Sequence, residues 1–111
     1  ANIIDNKSKG VAAAISPAEL KAKLDAGGGF VLLDVRSPAE VESDPFPASA
    51  VVHIPLGKLR ERLAELPRDA EIIVFCKISV RGYEAQRILN GAGYNNVRFL
   101  DGGLAAWPYT E

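Results

Sequence analysis

The feature that most constrains the fold is the run at residues 30–35, which is apolar on both of its faces. Half-exposed strands alternate apolar and polar residues, whereas strands buried on both sides are apolar almost throughout. Residues 71–75 form a second apolar strand candidate, and shorter strands are predicted at 14–15, 51–54 and 97–100. The chain is therefore expected to build a mostly parallel sheet of about five strands.

Helices are predicted between these strands. The sequence Ser-Pro-Ala-Glu occurs at residues 16–19 and again at 37–40. Serine is a good N-cap, proline fits the first helical position, and a glutamate three residues after the cap completes a capping box. An amphipathic segment follows at 58–66, and another helix follows Arg81 and ends near residues 90–93. This alternation predicts an α/β fold with helices on both faces of the sheet.

Composition narrows the class of protein. A chain of 111 residues fits one domain, which we place at residues 14–111 after a lead-in or linker at 1–13. The net charge of −1 gives no reason to expect nucleic acid or a membrane surface as a partner. Neither a bilayer-spanning run nor a signal peptide is recognisable. One cysteine excludes an internal disulfide and a cysteine-rich metal site, and favours a reducing, cytoplasmic location.

The single cysteine, Cys76, stands where a predicted strand ends and a helix begins a few residues later. Backbone N–H groups and the partial positive charge of a helix N-terminus would favour its thiolate. The alternative is an inert cysteine, because a free cysteine packs like a small apolar residue. Lys77, Arg81 and the immediate start of a helix favour a nucleophile in an anion cradle.

Four candidate residues fall at or just past predicted strand ends: Asp34, Arg36, Cys76 and Asp101. The carboxyl ends of parallel strands meet at one edge of a sheet, where the functional crevice lies. We expect Asp34 and Arg36 to form a supporting ion pair at this rim, and Asp101 to cap the turn that follows it. Arg81 either binds an anion or ties the loop to a carboxylate such as Asp34.

Five sequence motifs in this order resemble those of a rhodanese domain, and together they cover about residues 14–107. They are Leu33-Asp34-Val35-Arg36, Glu40, His53-Ile54-Pro55-Leu56, Val74-Phe75-Cys76 with Arg81-Gly82, and Leu100-Asp101-Gly102-Gly103 with Trp107. One departure is that residues 44–50 lack the Gly-His pair that the family often has before the third strand.

The resemblance implies a sulfurtransferase. In this interpretation Cys76 takes sulfane sulfur from thiosulfate, a persulfide or a polysulfide, and passes it to an external thiol. The loop residues that would bind the donor are Lys77, Ile78, Ser79, Val80 and Arg81. Lys77 is expected at the rim, and the apolar Ile78 and Val80 suit a large thiol at least as well as thiosulfate. His53 is predicted to be a packed strand residue rather than a base, and Trp107 to close the core.

Loop length separates this chemistry from phosphate chemistry. The loop from Cys76 to Arg81 contains six residues, whereas the related phosphatases and arsenate reductases have one more. A smaller ring of N–H groups suits a sulfur atom better than a tetrahedral oxyanion. Phe75 also stands where tyrosine phosphatases usually have histidine. A silent interaction or regulatory module is the remaining alternative, although inactive relatives commonly lack the cysteine.

A narrower resemblance is to the C-terminal rhodanese domain of coenzyme A-disulfide reductase-like flavoproteins. It is based on Val80-Arg81-Gly82-Tyr83 and on a lead-in with Ala1-Asn2 and Gly10. The absence of methionine fits either a removed initiator or a domain taken from a longer chain. No pair of residues suggests a metal site. The resemblance implies a fused flavoprotein domain that would use FAD and coenzyme A, with no cofactor in the rhodanese domain itself.

Overall fold

The computed structural model describes residues 13–47 and 51–109. Five strands lie within these ranges: β1 Ala14–Ile15, β2 Val31–Asp34, β3 Val51–His53, β4 Ile72–Phe75 and β5 Val97–Leu100. They form one sheet in the order β1-β5-β4-β2-β3, and every neighbouring pair is parallel. The predicted parallel sheet is confirmed. Most of the predicted lead-in, residues 1–12, and residues 48–50 of the predicted loop lie outside the described residues.

The α-helices are α1 Pro17–Asp25, α2 Pro38–Ser43 and α3 Val80–Gly91. Both predicted capping boxes form. In the first, Ser16 Oγ accepts a hydrogen bond from Glu19 N at 3.1 Å, and Glu19 Oε1 accepts one from Ser16 N at 3.0 Å. Helix α3 begins at Val80, so Arg81 lies in its first turn rather than before it.

The amphipathic segment at 58–66 is not a regular α-helix. This part of the chain forms two 3₁₀ segments, Leu56–Lys58 and Arg60–Glu65. The second segment is kinked at Arg62 (φ −115°, ψ 17°). With about three residues per turn, a 3₁₀ helix brings residues three apart onto the same side. The segment is still amphipathic, because Leu59 and Leu66 are buried and Leu63 is partly buried.

Two hydrophobic cores lie on opposite faces of the sheet. The first is covered by α3 and the 3₁₀ segments and contains Leu59 and Leu89. The second is covered by α1 and contains Leu20 and Phe46. Trp107 packs against the second core, with its ring centroid 4.9 Å from that of Phe46, which agrees with its predicted role. Successive side chains of a strand point to opposite faces, so β2 and β4 supply both cores.

The connections between strands change direction along the sheet between β2 and β4. The connection after β2 runs outward to β3, whereas the connection after β4 runs the other way to β5. Because right-handed crossovers in opposite directions lie on opposite faces, the two connections diverge at the carboxyl ends of these strands. Ligand sites of open α/β sheets lie in the crevice that such a divergence leaves. Here the crevice lies between the ends of β2 and β4.

Candidate active site

Cys76 directly follows β4, the central strand, at this crevice. Strand β4 pairs with β2 on one side and with β5 on the other, so the start of the loop is fixed in position. The residue has no exposed surface. Its Sγ–H donates a hydrogen bond to the carbonyl oxygen of Ile78 at 2.6 Å. The structure therefore places the thiol inside the loop.

Among the described residues, the backbone N–H groups that directly follow the cysteine have no protein acceptor. Across the described ranges, none of the N–H groups of residues 77–82 donates to a protein acceptor. Ser79 occupies the N-cap position of α3, but its side chain makes no capping hydrogen bond. The first N–H groups of a helix carry partial positive charge and bind anions. The loop is therefore built to hold a negatively charged atom on the cysteine.

The segment after β5 packs against the loop from beneath. Leu104 N and Ala105 N donate hydrogen bonds to the carbonyl oxygens of Cys76 and Lys77, each at 2.8 Å. Gly103, which directly precedes these two residues, adopts a φ of +63°, and a Cβ there would overlap the carbonyl oxygens of Cys76 and Ile78. The sequence predicted a turn at 101–103, but nothing in it indicated that this turn supports the cysteine loop.

A side-chain hydrogen bond reinforces this support. Ser79 Oγ accepts a hydrogen bond from Gly102 N at 2.7 Å, so the serine links the loop to the turn instead of capping α3. Asp101 is exposed, and the turn is closed by the backbone, where Gly103 N donates to the carbonyl oxygen of Leu100 at 3.0 Å. We assign the closure of the turn to these hydrogen bonds rather than to Asp101.

Arg81 ties the loop to a carboxylate, but the carboxylate is Glu40 and not Asp34. Its two terminal nitrogens donate to the two oxygens of Glu40 at 2.7 and 3.0 Å. The Arg81 guanidinium, with a further hydrogen bond from Ser37 N, holds the pKa of Glu40 well below its usual range. The pKa of Arg81 is raised in turn. Since Glu40 lies on α2 and Arg81 on α3, this pair closes the crevice between β2 and β4.

Asp34 and Arg36 form the predicted ion pair, but not at the rim. Arg36 Nη2 lies 2.8 Å from Asp34 Oδ2, and the two residues are 2% and 1% exposed. Arg36 N also donates to Asp34 Oδ1 at 3.0 Å, and the guanidinium lies over the ring of Phe75. The pair is therefore buried against Phe75, the residue that precedes Cys76, and is not exposed at the rim. Removing one partner of a buried ion pair typically costs about 3–5 kcal/mol.

The other predicted residues lie where their chemistry suggests. Lys77, Ile78 and Val80 are exposed, and the two apolar side chains are 53% and 60% exposed. His53 Nε2 donates to the carbonyl oxygen of Arg36 at 2.8 Å, so the histidine is a packed strand residue as predicted. In the part of the chain that the structure describes, no cluster of three or more histidine, cysteine or acidic side chains could hold a metal ion. No helix there is long and apolar enough to cross a membrane.

Comparison with known proteins places the chain in a family. A family model described as "Rhodanese-like domain" matches residues 16–109. The putative sulfurtransferase YtwF of Bacillus subtilis is 33% identical over 93 residues, which are 84% of this chain and 87% of the relative. The probable adenylyltransferase/sulfurtransferase MoeZ of Mycobacterium tuberculosis is 36% identical over 93 residues, again 84% of this chain but only 24% of the relative.

Two of the solved structures that resemble this chain belong to larger reductases. A NAD-dependent persulfide reductase from A. fulgidus is 44% identical, with a TM-score of 0.73 over 96% of this chain. Reduced CoADR-RHD from Bacillus anthracis is 34% identical, with a TM-score of 0.76 over the same share. The chain spans 18% and 17% of these two proteins, and about a quarter of MoeZ. The narrower resemblance to rhodanese domains of such reductases is therefore confirmed.

The support by Gly103 predicts a specific loss of stability. Gly103→Ala introduces a Cβ at positive φ and against the backbone of the loop, so the free energy of unfolding should fall by about 2–4 kcal/mol. Gly91→Ala is the control, because a Cβ there meets open space at the end of α3. Urea unfolding of both variants measures the difference. Equal stability of the two variants would show that Gly103 does not brace the loop.

The Glu40–Arg81 pair predicts a dependence on pH. Because the pKa of Glu40 is lowered by folding, its contribution to stability is complete above the ordinary carboxyl pKa of about 4.3 and shrinks as the pH falls below it. Both side chains are about one-third exposed, so the contribution at pH 7 should be about 1 kcal/mol.

Glu40→Gln keeps the capping geometry and removes the charge, and Glu42→Gln on the exposed side of α2 is the matched control. Denaturant unfolding between pH 7 and pH 3 should show the gap between wild type and Glu40→Gln closing below about pH 4.3. A gap that stays constant down to pH 3, or one that Glu42→Gln reproduces, contradicts the assignment.

Proposed function

The chain belongs to the rhodanese-like domain family, and we propose that it is a sulfurtransferase that carries sulfane sulfur on Cys76. The observation that supports this best is the position of the thiol. Cys76 lies at the end of the central strand, at the crevice where the connections diverge, and the backbone N–H groups of residues 77–82 that follow it donate to no protein acceptor within the described ranges. Such a site stabilises one added anionic sulfur.

In the first step the Cys76 thiolate attacks the outer sulfur of a donor such as thiosulfate or a persulfide. A bond forms between Sγ and that sulfur, the donor's sulfur–sulfur bond breaks, and its electron pair leaves with sulfite or with the donor thiolate. No net oxidation or reduction takes place. This is covalent catalysis by an activated nucleophile. The loop contributes by positioning and by electrostatic stabilisation of the persulfide.

Ionisation of Cys76 must change its hydrogen bonding. The protonated thiol donates to the carbonyl oxygen of Ile78, but a thiolate has no proton to donate. The sulfur is then repelled by that oxygen and turns toward the N–H groups of residues 77–82. Sulfur added to it extends about 2 Å farther into the loop. The fixed supports from Gly103 and Ser79 keep the loop formed while the sulfur moves.

In the second step an external nucleophile takes the outer sulfur and restores the Cys76 thiolate. The chain has one cysteine, so it cannot discharge its persulfide by forming an internal disulfide. The acceptor is a thiol of another molecule, or of another domain in a longer protein. The resemblance to larger reductases supports a fused flavoprotein domain that would supply FAD and coenzyme A chemistry. A reducing compartment such as the cytoplasm would keep the Cys76 thiol free.

The silent-module alternative is not favoured, because the chain retains Cys76 together with its loop and its supports. A phosphatase is also disfavoured, because the loop from Cys76 to Arg81 has six residues and Arg81 is held by both oxygens of Glu40. An arginine that is already paired in this way is less available to clamp the oxygens of a phosphate group.

Intact mass spectrometry tests the proposal. After incubation with thiosulfate or glutathione persulfide, the wild-type chain should gain about 32 Da, one sulfur atom, and lose it again on addition of cyanide or a thiol. Cys76→Ser should gain nothing, and circular dichroism would confirm that it is folded. If the reduced, folded wild-type chain takes up no sulfur from any donor, the proposal is refuted, and an interaction or regulatory module is the remaining function.

A further inference from the structure

Three of the arginines make no ion pair with a carboxylate of the described residues, and one of the three, Arg68, is bound to the backbone instead. The sequence contains seven arginines, and all lie in the described ranges. Those with an ion pair are Arg36, Arg62, Arg81 and Arg98. Arg68 donates to the carbonyl oxygen of Ala92 and stacks over Tyr94. For Arg60 and Arg87, no carboxylate of the described residues lies within ion-pair distance.

Both of these arginines line the same groove. A groove of about 610 Å³ lies between the 3₁₀ segments and α3, and its walls include Arg60, Tyr83 and Arg87. A second hollow of about 400 Å³ also contains Arg60 and Arg87, and it reaches the carboxyl end of α3 at Ala92. Ile88 lines both hollows and gives the groove an apolar floor.

The groove has an excess of positive charge. Glu84 is the one acidic side chain among its lining residues, and none of the ion pairs between described residues includes it. Arg87 Nη1 donates to Tyr83 Oη at 3.3 Å, and its guanidinium lies 5.9 Å from the ring centroid. Tyr83 therefore orients this arginine. A bound anion would reduce the repulsion between these two positive charges. Guanidinium groups form paired hydrogen bonds with carboxylate and phosphate oxygens.

The groove continues into the surface around the cysteine loop. The exposed large apolar side chains of the described part are Val52, Ile78, Val80 and Tyr83. Three of these four lie between residues 78 and 83, directly after Cys76. Clustered exposed apolar groups mark interaction sites. Tyr83 belongs to both the apolar patch and the groove, so one continuous face leads from the cysteine loop along α3.

We propose that this face binds an acidic segment of a sulfur-acceptor protein, which presents its thiol to the persulfide of Cys76. The inference rests on the sulfurtransferase function proposed above and names the class of acceptor. From Tyr83 to Ala92 the helix rises about 14 Å, which an extended segment of about four residues spans. Acidic side chains of that segment pair with Arg60 and Arg87, and its apolar end with the thiol meets Ile78 and Val80.

The transfer step needs no further reactant. The acceptor thiolate attacks the outer sulfur of the Cys76 persulfide and forms a new sulfur–sulfur bond. The bond between that sulfur and Sγ breaks, and its electron pair returns to the Cys76 thiolate. The groove takes no part in this chemistry. It raises the local concentration of the acceptor thiol, and exposed charge pairs do this less well at high salt.

The test uses persulfidated full-length chain and two synthetic peptides, each with an N-terminal cysteine, a Leu-Gly spacer, and either four glutamates or four lysines. Mass spectrometry gives the rate constant for loss of sulfur to each peptide, and their ratio is compared between wild type and Arg60→Ala/Arg87→Ala. Comparing proteins on the same peptides cancels intrinsic thiol reactivity. Two exposed ion pairs should make the wild-type ratio, glutamate over lysine, about tenfold larger than that of the double variant.

Arg62→Ala is the matched control, because Arg62 lies in the same 3₁₀ segment but pairs with Glu65 outside the groove. It should keep the wild-type ratio, and 0.5 M salt should abolish the difference between wild type and the double variant. A ratio that the double variant leaves unchanged overturns the inference. So does an equal arginine-dependent acceleration with 2-mercaptoethyl phosphate, which would assign the groove to small phosphorylated thiols. Failure of Cys76 to load sulfur at all would instead refute the sulfurtransferase function.

Discussion

The reversal in the direction of the strand connections between the parallel strands β2 and β4 is the constraint on which the rest of the structure depends. Right-handed crossover connections that run in opposite directions along a sheet lie on its opposite faces. The connections that follow β2 and β4 therefore diverge at the carboxyl ends of these two strands. The separation leaves a crevice with a buried ion pair, Asp34–Arg36, as its floor and Cys76 on its edge. The Glu40–Arg81 pair then joins the two diverging helices across it.

The cysteine loop has little freedom, because three elements hold it. Strand β4 fixes its start, α3 fixes its end, and the turn at Gly103 supports its middle through the carbonyl groups. Directing these carbonyl groups toward the turn leaves the N–H groups of residues 77–82 for the sulfur. A site of this kind works by preorganised electrostatics, and it needs no base to be placed near the nucleophile. The residues of the exposed face along α3 do not touch the reacting sulfur, and they select the acceptor.

Local features were predictable from sequence, and long-range ones were not. The capping boxes at Ser16 and Ser37, the buried strands and the position of Cys76 each follow from a short pattern of residues. The partner of Arg81 did not follow, because Glu40 is far away in sequence and Asp34 was an equally reasonable carboxylate. The burial of Asp34–Arg36 and the contact of Gly103 with the loop depend on how strands pack, which no local pattern records. The 3₁₀ segments at 56–65 show the same limit, since an amphipathic pattern does not distinguish them from an α-helix.

Two-dimensional ¹H–¹⁵N NMR of the reduced and the persulfidated chain tests the central claim most directly, because it reads the N–H groups of the loop one by one. If these groups hold the anionic sulfur, the amide protons of residues 77–82 will move downfield on persulfidation, since hydrogen bonds to an anion are strong. Amides of α1, on the other side of the sheet, will not move. A persulfide that forms on Cys76 while the amide resonances of residues 77–82 stay in place would contradict the account.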